Sequence, residues 1–299
     1  MNALASDHFR RLLFNAVDAA VYPLQDIWQS RRQLPSSAVV NQTEIRFVGM
    51  RRTGNHALLN WLMHQFSGEV YLLNNIVINK NPYQFKADNL MRYYPEHHAM
   101  AQVYRRQAAG ELIKRDCLFY SYEDWSLAKI ARSRVERNRH RYLGKSAQHY
   151  DILILRDPFN LFASRLKKKY VPTKSKQISM VALWLEYAKE FVGESHYLNR
   201  NLVCINYNRW FADESYRRQL SGQLSIPFSD AGLFEVATEG DGSSFDGTRF
   251  SGQARSMDVT NRWRQFVDNP AYRQLFTNEE IWTYSQRIFG EIPGTEALR

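Results

Sequence analysis

Between two apolar segments the chain reads Gly49-Met50-Arg51-Arg52-Thr53-Gly54-Asn55-His56. The segment before it, residues 45–48, is short and apolar apart from Arg46, which is typical of a strand. The segment after it, residues 57–63, repeats apolar residues at helical spacing. This order predicts a strand, a tight glycine turn and a helix whose free backbone N–H groups and positive dipole end can bind an anion.

The two glycines of this turn have the spacing of a nucleotide-binding P-loop. Four residues separate Gly49 from Gly54, but Asn55 and His56 stand where a P-loop carries Lys and Ser or Thr. The loop therefore lacks the hydroxyl that normally holds Mg²⁺. The sequence predicts a loop that binds a phosphate-containing donor without a metal.

Length and composition favour a folded protein with an anionic partner. The 299 residues are 44% hydrophobic and 14% aromatic, enough for one large domain or two small ones. The 40 Lys and Arg exceed the 30 Asp and Glu, which gives a formal charge of +10. Such a charge favours nucleotides, acidic glycans, membrane surfaces or nucleic acid without choosing among them. Cys117 and Cys204 lie in apolar runs, so they are expected to be reduced core residues.

The N-terminal region is expected to be attached to a larger domain. Residues 1–40 are predicted to form an amphipathic helix and a linker, and residues 41–299 the main α/β domain. The start of the chain lacks the pattern of a signal peptide, and Pro23 and polar residues interrupt the apolar run at 12–28. The protein is therefore expected to be cytoplasmic, with contact to a membrane surface left open.

Further strand-like runs alternate with helical patterns along the chain. They occur at residues 70–78, 116–122, 150–155 and 202–205. Strands separated by helices predict a three-layer α/β/α domain with a central parallel sheet.

Two polar segments are harder to assign. Residues 79–114 are polar and aromatic and are expected to form a loop and a helix. Residues 132–145 are heavily basic, so they form either a solvated helix face or a guide for an acidic acceptor or a membrane.

A second candidate anion site follows the buried strand at 150–155. Arg156 comes at the end of that strand, where ligands bind in open α/β sheets. Ser164 lies eight residues further on, in a helix that starts near Pro158. The guanidinium and the hydroxyl could grip one phosphate from two sides. A structural pair of Arg156 with Asp157, beside an exposed Ser164, explains the pattern as well.

Together the two sites resemble those of sulfotransferases that use 3′-phosphoadenosine-5′-phosphosulfate (PAPS). The family's 5′-phosphosulfate loop typically reads Lys/Arg-Ser/Thr-Gly-Thr/Ser-Thr/Ser, and residues 52–56 are similar to it except at Asn55 and His56. The family's 3′-phosphate motif has Arg and, eight residues later, Ser, which match Arg156 and Ser164.

Two further segments extend the resemblance over residues 45–266. Residues 204–213 resemble the strand and helix in which the family carries a tyrosine near the adenine, and Tyr207 stands in that position. Residues 245–263 more weakly resemble the flexible loop that covers the nucleotide and ends in an Arg-Trp-Arg-like helix start, here residues 262–264.

The resemblance implies an enzyme that moves a sulfuryl group from PAPS to a hydroxyl or amine of an acceptor and releases PAP. Arg52 stands in the position of the family's catalytic lysine, and fixed cations would take the role of a metal. The residues implied in nucleotide binding are Arg51, Arg52, Thr53, Gly54, Asn55, His56, Arg156, Ser164, Tyr207, Arg255 and Arg262. A carbohydrate or lipid-linked glycan is the acceptor expected from the breadth of the family.

The acceptor also needs a general base, and several residues qualify. Glu123, at the end of a predicted strand, and His56, in the loop, are the leading candidates. Asp124 and the pair His97 and His98 are the others.

Two other functions compete with this one. A metal-dependent P-loop kinase or NTPase would need Lys and Ser or Thr after Gly54, and both are absent. A non-enzymatic module could bind an anion or a membrane through the basic runs 132–145 and 165–176. No recognition motif supports a nucleic-acid partner. A small-molecule or glycan acceptor is therefore the expected partner, and a homodimer is left open.

Overall fold

The computed structural model describes the chain from residue 38 to residue 299, with gaps at 176, 234, 236–244, 246–248, 250–252 and 254–255. Most of the predicted N-terminal helix and linker, and Arg255, lie outside the described residues.

A five-stranded parallel sheet forms the centre of the described chain. Its strands are β1 (Val39–Gly49), β2 (Val70–Leu73), β3 (Arg115–Glu123), β4 (Lys145–Leu155) and β5 (Leu202–Asn206). Their order across the sheet is β2-β3-β1-β4-β5, which places β1 in the middle. The second halves of β1 and β4 are buried apolar runs, as expected for central strands covered on both faces. The predicted parallel α/β sheet is confirmed.

Helices alternate with these strands. The α-helices of the described residues are α1 (Asn55–Met63), α2 (Pro82–Tyr93), α3 (His98–Ala108), α4 (Leu127–Ala131), α5 (Arg134–Arg137), α6 (Arg139–Leu143), α7 (Pro158–Lys167), α8 (Met180–Phe191), α9 (Tyr207–Ala212), α10 (Glu214–Gln223), α11 (Pro270–Arg273) and α12 (Glu279–Phe289). Short 3₁₀ turns occur at Pro95–His97, Arg262–Phe266, Gln274–Phe276 and Thr295–Leu298. Among the described helices, none is long and apolar enough to cross a membrane.

Both β1 and β4 start earlier than predicted because their polar first halves bond to one another. Asn41 Nδ2 donates to Ser146 Oγ at 3.0 Å, and that hydroxyl donates to Glu44 Oε2 at 2.6 Å. Further along the same strands, Arg46 makes a buried two-pronged pair with Asp151 at 2.8 and 2.6 Å. This pairing gives hydrogen-bond partners to polar groups that would otherwise be buried in the strands without one.

The chain divides into two compact units. The described residues of the helical unit are 38–40, 77–114 and 133–145, with helices α2, α3, α5 and α6. The sheet unit contains the other described residues. The predicted division at residue 41 stays a prediction.

The two cysteines lie within the sheet unit. Cys117 in β3 and Cys204 in β5 are free thiols, as predicted. Burial raises the pKa of the Cys204 thiol to about 12, so the neutral form prevails near neutral pH.

The parallel strands bring several chain segments to one edge of the sheet. Gly49 at the end of β1 pairs in register with Glu123 of β3, and Leu155 of β4 pairs with Asn206 of β5. Because the strands are parallel, the segments that follow each of them leave from the same edge. The β1–α1 loop, Arg156 and the start of α9 are therefore neighbours.

Apolar packing fixes α1 over this edge. Its Leu58, Leu59 and Leu62 are buried in the same cluster as Phe47 of β1 and Ile154 of β4. Full burial of one such side chain stabilises the fold by about 1.5–3 kcal/mol. The first turn of α1 is consequently held at the carboxyl edge of the sheet.

Candidate functional site

The loop between β1 and α1 turns at two residues in the left-handed region. Arg52 has a φ of 73° and Gly54 a φ of 108°. Thr53 N donates to Met50 O at 3.3 Å inside the loop, and Leu58 N donates to Gly54 O at 3.1 Å as α1 begins. Since Gly54 is the N-cap and has no side chain, it leaves first-turn N–H groups for another acceptor. A left-handed arginine costs about 1–2 kcal/mol, and such strain clusters at functional sites.

Tyr207, the first residue of α9, lies against this loop. A Cβ atom placed on Gly54 would lie 2.6 Å from Tyr207 Cδ2 and closer still to Cε2. The tyrosine ring is buried and packs in turn against Trp210 and Phe211. Only glycine therefore fits both the backbone angle and the space at position 54.

Gly54→Ala is expected to lower the free energy of unfolding by about 3 kcal/mol, since it adds backbone strain and a clash with the Tyr207 ring. Gly193 is the matched control, because it has a φ of 78° but nothing within 4 Å of its added Cβ. Gly193→Ala is expected to cost about 1 kcal/mol, the strain alone. Urea unfolding measures both. Equal losses would mean that the ring moves aside freely.

Arg156 joins the loop to the C-terminal part of the chain. Its Nη1 donates to Arg52 O at 3.3 Å, and its Nη2 donates to Val259 O. Its guanidinium lies over the Tyr207 ring, 5.1 Å from the ring centre. Among the described residues the Arg156 donors do not pair with Asp157, so the structural pair that the sequence also allowed is not formed.

Three buried donors near these groups lack partners. Thr53 Oγ1, Arg156 Nε and Ser164 Oγ have no hydrogen-bond partner among the described residues. A buried polar group left unmet costs about 1–3 kcal/mol. Unmet atoms also occur elsewhere among the described residues, for instance at Ser221, so burial without a partner does not by itself identify a site. These three donors belong to the motifs that the sequence predicts to bind phosphate, and that role stays a prediction.

Ser164 is fully buried in α7. The exposed position that the sequence allowed for it is therefore wrong. The buried residues of α7 run from Pro158 to Arg165 and include Ser164.

A polar network joins the start of α7 to residues 258–263. Asp157 caps α7 by accepting from Asn160 N at 2.7 Å, and it also accepts from Asn208 Nδ2 at 3.0 Å. Asn160 Oδ1 accepts from Arg262 N at 2.9 Å. Burial raises the pKa of the Asp157 carboxyl, and the Arg156 guanidinium and these donors act against that rise.

Arg262, predicted to bind the nucleotide, is buried in this network. Its Nε donates to Asp258 O at 3.3 Å, and its guanidinium lies 5.0 Å from the centre of the Phe245 ring. Its described contacts hold the C-terminal segment, and its role toward a nucleotide stays a prediction.

A buried ion pair holds the peptide of Arg51 from both sides. Asp124 Oδ1 accepts from Arg51 N at 2.9 Å and from Arg165 Nη1 at 2.7 Å. Arg165 Nη1 also donates to Arg51 O at 3.2 Å. Both members of the pair are fully buried. We call Asp124 and Arg165 the loop clamp, since they fix the residue that precedes the left-handed Arg52.

Sequence reasoning placed Arg165 only in the basic run 165–176 and treated Asp124 as a candidate base. The signal was present, because Arg165 follows Ser164 in an otherwise apolar helical segment and a buried arginine needs a partner. Asp124 Oδ1 is engaged by two donors, and Oδ2 lies 3.8 Å from Arg51 Nε with no hydrogen-bond partner among the described residues. Because this side chain is fully buried, anchoring explains the residue better than taking a proton from an acceptor.

Glu123 lies beside the loop at the end of β3. Its Oε1 accepts from Asn55 Nδ2 at 2.7 Å, and its Oε2 lies 3.8 Å from Arg51 Nε. Asn55 Nδ2 also donates to Met50 O at 3.0 Å. Asn55 thus ties the loop to β3 and orients a buried carboxylate.

The other candidate bases differ in position. His56 lies in the first turn of α1 and is partly exposed. His97 and His98 are exposed residues of the helical unit.

Comparisons with known proteins give limited information. No protein-family model matches the chain. No curated protein matches it in sequence. Among solved structures it is similar to the mouse sulfotransferase SULT7A1 complexed with PAP, with a TM-score of 0.44 and 11% sequence identity over 84% of this chain and 87% of that one. At this level the two share no more than a general α/β arrangement.

Of the residues predicted from sequence, the structure brings together the β1–α1 loop, Arg156, Tyr207 and Glu123 at the carboxyl edge of the sheet. Arg51 is part of the same group and is half-buried, with its guanidinium 5.5 Å from the centre of the Tyr170 ring. This edge therefore combines hydrogen-bond donors of the kind that bind phosphate, an aromatic ring and a buried carboxylate.

Proposed function

We propose that this protein is a sulfotransferase that moves a sulfuryl group from PAPS to a hydroxyl or amine of an acceptor. The observation that supports this function is the meeting of three motifs that are far apart in the chain. Arg156 donates to the backbone of Arg52 and lies over the ring of Tyr207, which packs on Gly54. In the family that the sequence resembles, these positions serve the 3′-phosphate, the 5′-phosphosulfate and the adenine.

The donors at these positions fit a nucleotide with two phosphate groups. The backbone N–H groups around Gly54 and the unmet hydroxyl of Thr53 would hold the 5′-phosphate. Arg156 and the unmet hydroxyl of Ser164 would hold the 3′-phosphate. Tyr207 offers a ring face or edge to the adenine.

PAPS supplies an activated sulfuryl group, and its transfer leaves negative charge on the 5′-phosphate. The fixed cations Arg51 and Arg52 and the loop N–H groups would stabilise that charge. The loop clamp keeps these donors in place before substrate binds, which is the condition for effective electrostatic stabilisation.

Glu123 is the residue that we assign to take the proton of the acceptor. Asn55 holds one carboxylate oxygen, and the other is 3.8 Å from Arg51 Nε, too far for a hydrogen bond. The second oxygen can therefore accept a proton without breaking the contact to Asn55. The acceptor class, a carbohydrate or lipid-linked glycan, is part of the proposal and rests on the resemblance alone.

Thermal unfolding with nucleotides tests the proposed function. Adenosine 3′,5′-bisphosphate without Mg²⁺ at 100 times its Kd should stabilise the protein by about 2.7 kcal/mol. ATP with Mg²⁺ should stabilise it less, because the loop has no Ser or Thr after Gly54 to hold the metal. Stabilisation by ATP with Mg²⁺ alone would favour a kinase or NTPase, and no response to either nucleotide would favour a non-enzymatic module.

Arg156→Ala should weaken binding of adenosine 3′,5′-bisphosphate by about 10- to 100-fold, the value of a charge-assisted hydrogen bond. Binding of adenosine 5′-phosphosulfate, which lacks the 3′-phosphate, should change far less. The ratio of the two affinities is the readout, since the variant also loses its contacts to Arg52 O and Val259 O and so loses stability. Equal losses for the two nucleotides would contradict the assignment.

A further inference from the structure

Most of the net positive charge of the chain lies in the helical unit. Its described residues, 38–40, 77–114 and 133–145, contain eleven Lys and Arg against four Asp and Glu, a net charge of +7. The whole chain of 299 residues has a formal net charge of +10. A field concentrated on one small unit directs that unit toward an anionic partner.

The connection between α2 and α3 is exposed throughout. All nine residues from 92 to 100 are exposed, and we call them the hairpin tip. Tyr93, Tyr94 and Met100 are exposed by 51%, 54% and 51%. Single exposed apolar side chains are ordinary, but here three large ones fall within nine residues.

Cations accompany the aromatic side chains of the hairpin tip. The Arg92 guanidinium lies 6.0 Å from the centre of the Tyr93 ring. Arg105 and Arg106 are exposed further along α3, and helical spacing places them on the same stripe as His98. At the other end of α3, exposed Ile113 stands next to exposed Lys114.

We propose that the helical unit binds the surface of an anionic lipid bilayer, with the hairpin tip entering the headgroup region. Tyrosine suits this region because its ring is apolar and its hydroxyl is polar. Lys and Arg nearby are attracted to acidic headgroups. A soluble acidic polymer would use the same charges but would leave Tyr93, Tyr94 and Met100 without an apolar surface to contact. The inference does not depend on the proposed reaction.

Sedimentation of the full chain with phosphatidylcholine vesicles, with and without phosphatidylserine, tests the proposal. Vesicles with phosphatidylserine should bind at least about tenfold more tightly, since each nearby cation adds to the attraction. Added salt should weaken that binding. Equal binding to both kinds of vesicle, or none to either, would overturn the proposal. Binding to dextran sulfate without binding to vesicles would assign the surface to an acidic polymer instead.

Paired variants locate the surface. Tyr93→Ser with Tyr94→Ser should weaken binding to the anionic vesicles by about tenfold, and Arg105→Gln with Arg106→Gln by a similar factor. Tyr197→Ser is the control for the tyrosines, because Tyr197 is 38% exposed and belongs to the sheet unit. Arg209→Gln with Arg218→Gln removes the same charge from exposed residues of the sheet unit.

The controls should leave vesicle binding nearly unchanged. If the control variants lose as much vesicle binding as the variants of the helical unit, overall charge governs binding and the helical unit does not. Thermal unfolding of each variant verifies that it is folded, and Met100→Ser tests the same tip if the tyrosine pair affects folding.

Discussion

Replacing Arg165 with Met is expected to lower the free energy of unfolding by about 3–5 kcal/mol, because the buried carboxylate of Asp124 loses its hydrogen-bonded counter-charge and keeps only Arg51 Nε, 3.8 Å away. The variant also removes the donor to Arg51 O. We therefore expect nucleotide binding to fail together with stability. Urea unfolding and calorimetric titration with adenosine 3′,5′-bisphosphate measure the two effects.

A double variant separates stability from loop positioning. Arg165→Met with Asp124→Asn removes both charges, and asparagine tolerates the left-handed backbone of position 124, where φ is 60°. Asparagine can also still accept from Arg51 N. Stability should return to within about 1–2 kcal/mol of the parent protein, while nucleotide affinity stays about tenfold weaker because Arg51 O has lost its donor.

The buried pair of Arg46 and Asp151 offers a matched control. It is also a buried Arg–Asp pair, with Arg200 as a further partner of Asp151, and Arg46 lies three residues before the end of β1. Neutralising it by Arg46→Met with Asp151→Asn should leave nucleotide affinity near that of the parent once the variant is folded. If the double variant of the loop clamp binds the nucleotide as tightly as the parent protein does, the loop clamp stabilises the fold but does not position the loop for binding.

Glu123→Gln is expected to lower the rate of sulfuryl transfer by about 100- to 10,000-fold, the usual contribution of a general base. The change keeps the size of the side chain, and the Gln oxygen can still accept from Asn55 Nδ2. Affinity for adenosine 3′,5′-bisphosphate should therefore be nearly unchanged. The initial rate of labelled sulfate transfer from PAPS to the acceptors of a cell extract measures the effect.

The rival base provides the control for Glu123. His56→Gln, in the first turn of α1, should reduce transfer less than Glu123→Gln does. If the histidine variant loses the rate and the glutamate variant keeps it, the base is His56 and Glu123 only orients the loop.

The fold was predictable where apolar runs are continuous. Residues 45–48 and 150–155 indicated central strands, and the alternation with helices indicated a parallel sheet. The starts of β1 and β4 were missed because their polar residues, such as Asn41 and Ser146, are satisfied only by pairing with one another. A sequence pattern does not reveal a partner about a hundred residues away.

The candidate site was predictable only where its residues stand in local sequence motifs. Gly54, Arg156 and Tyr207 were found because each stands in a local motif with its own spacing. The loop clamp was not, because Asp124 and Arg165 meet only after the sheet has brought β3 and α7 together. The link from Asn55 to Glu123 likewise depends on the register of β1 with β3.

The contacts of Arg156 and Asn160 also set an order of assembly during synthesis. Their partners Val259, Thr260 and Arg262 lie 100 to 103 residues further along the chain. A nascent chain that has emerged only as far as β5 can pair its strands but cannot make these contacts. Nucleotide affinity should therefore be acquired late, after the ribosome has released the segment beyond residue 258.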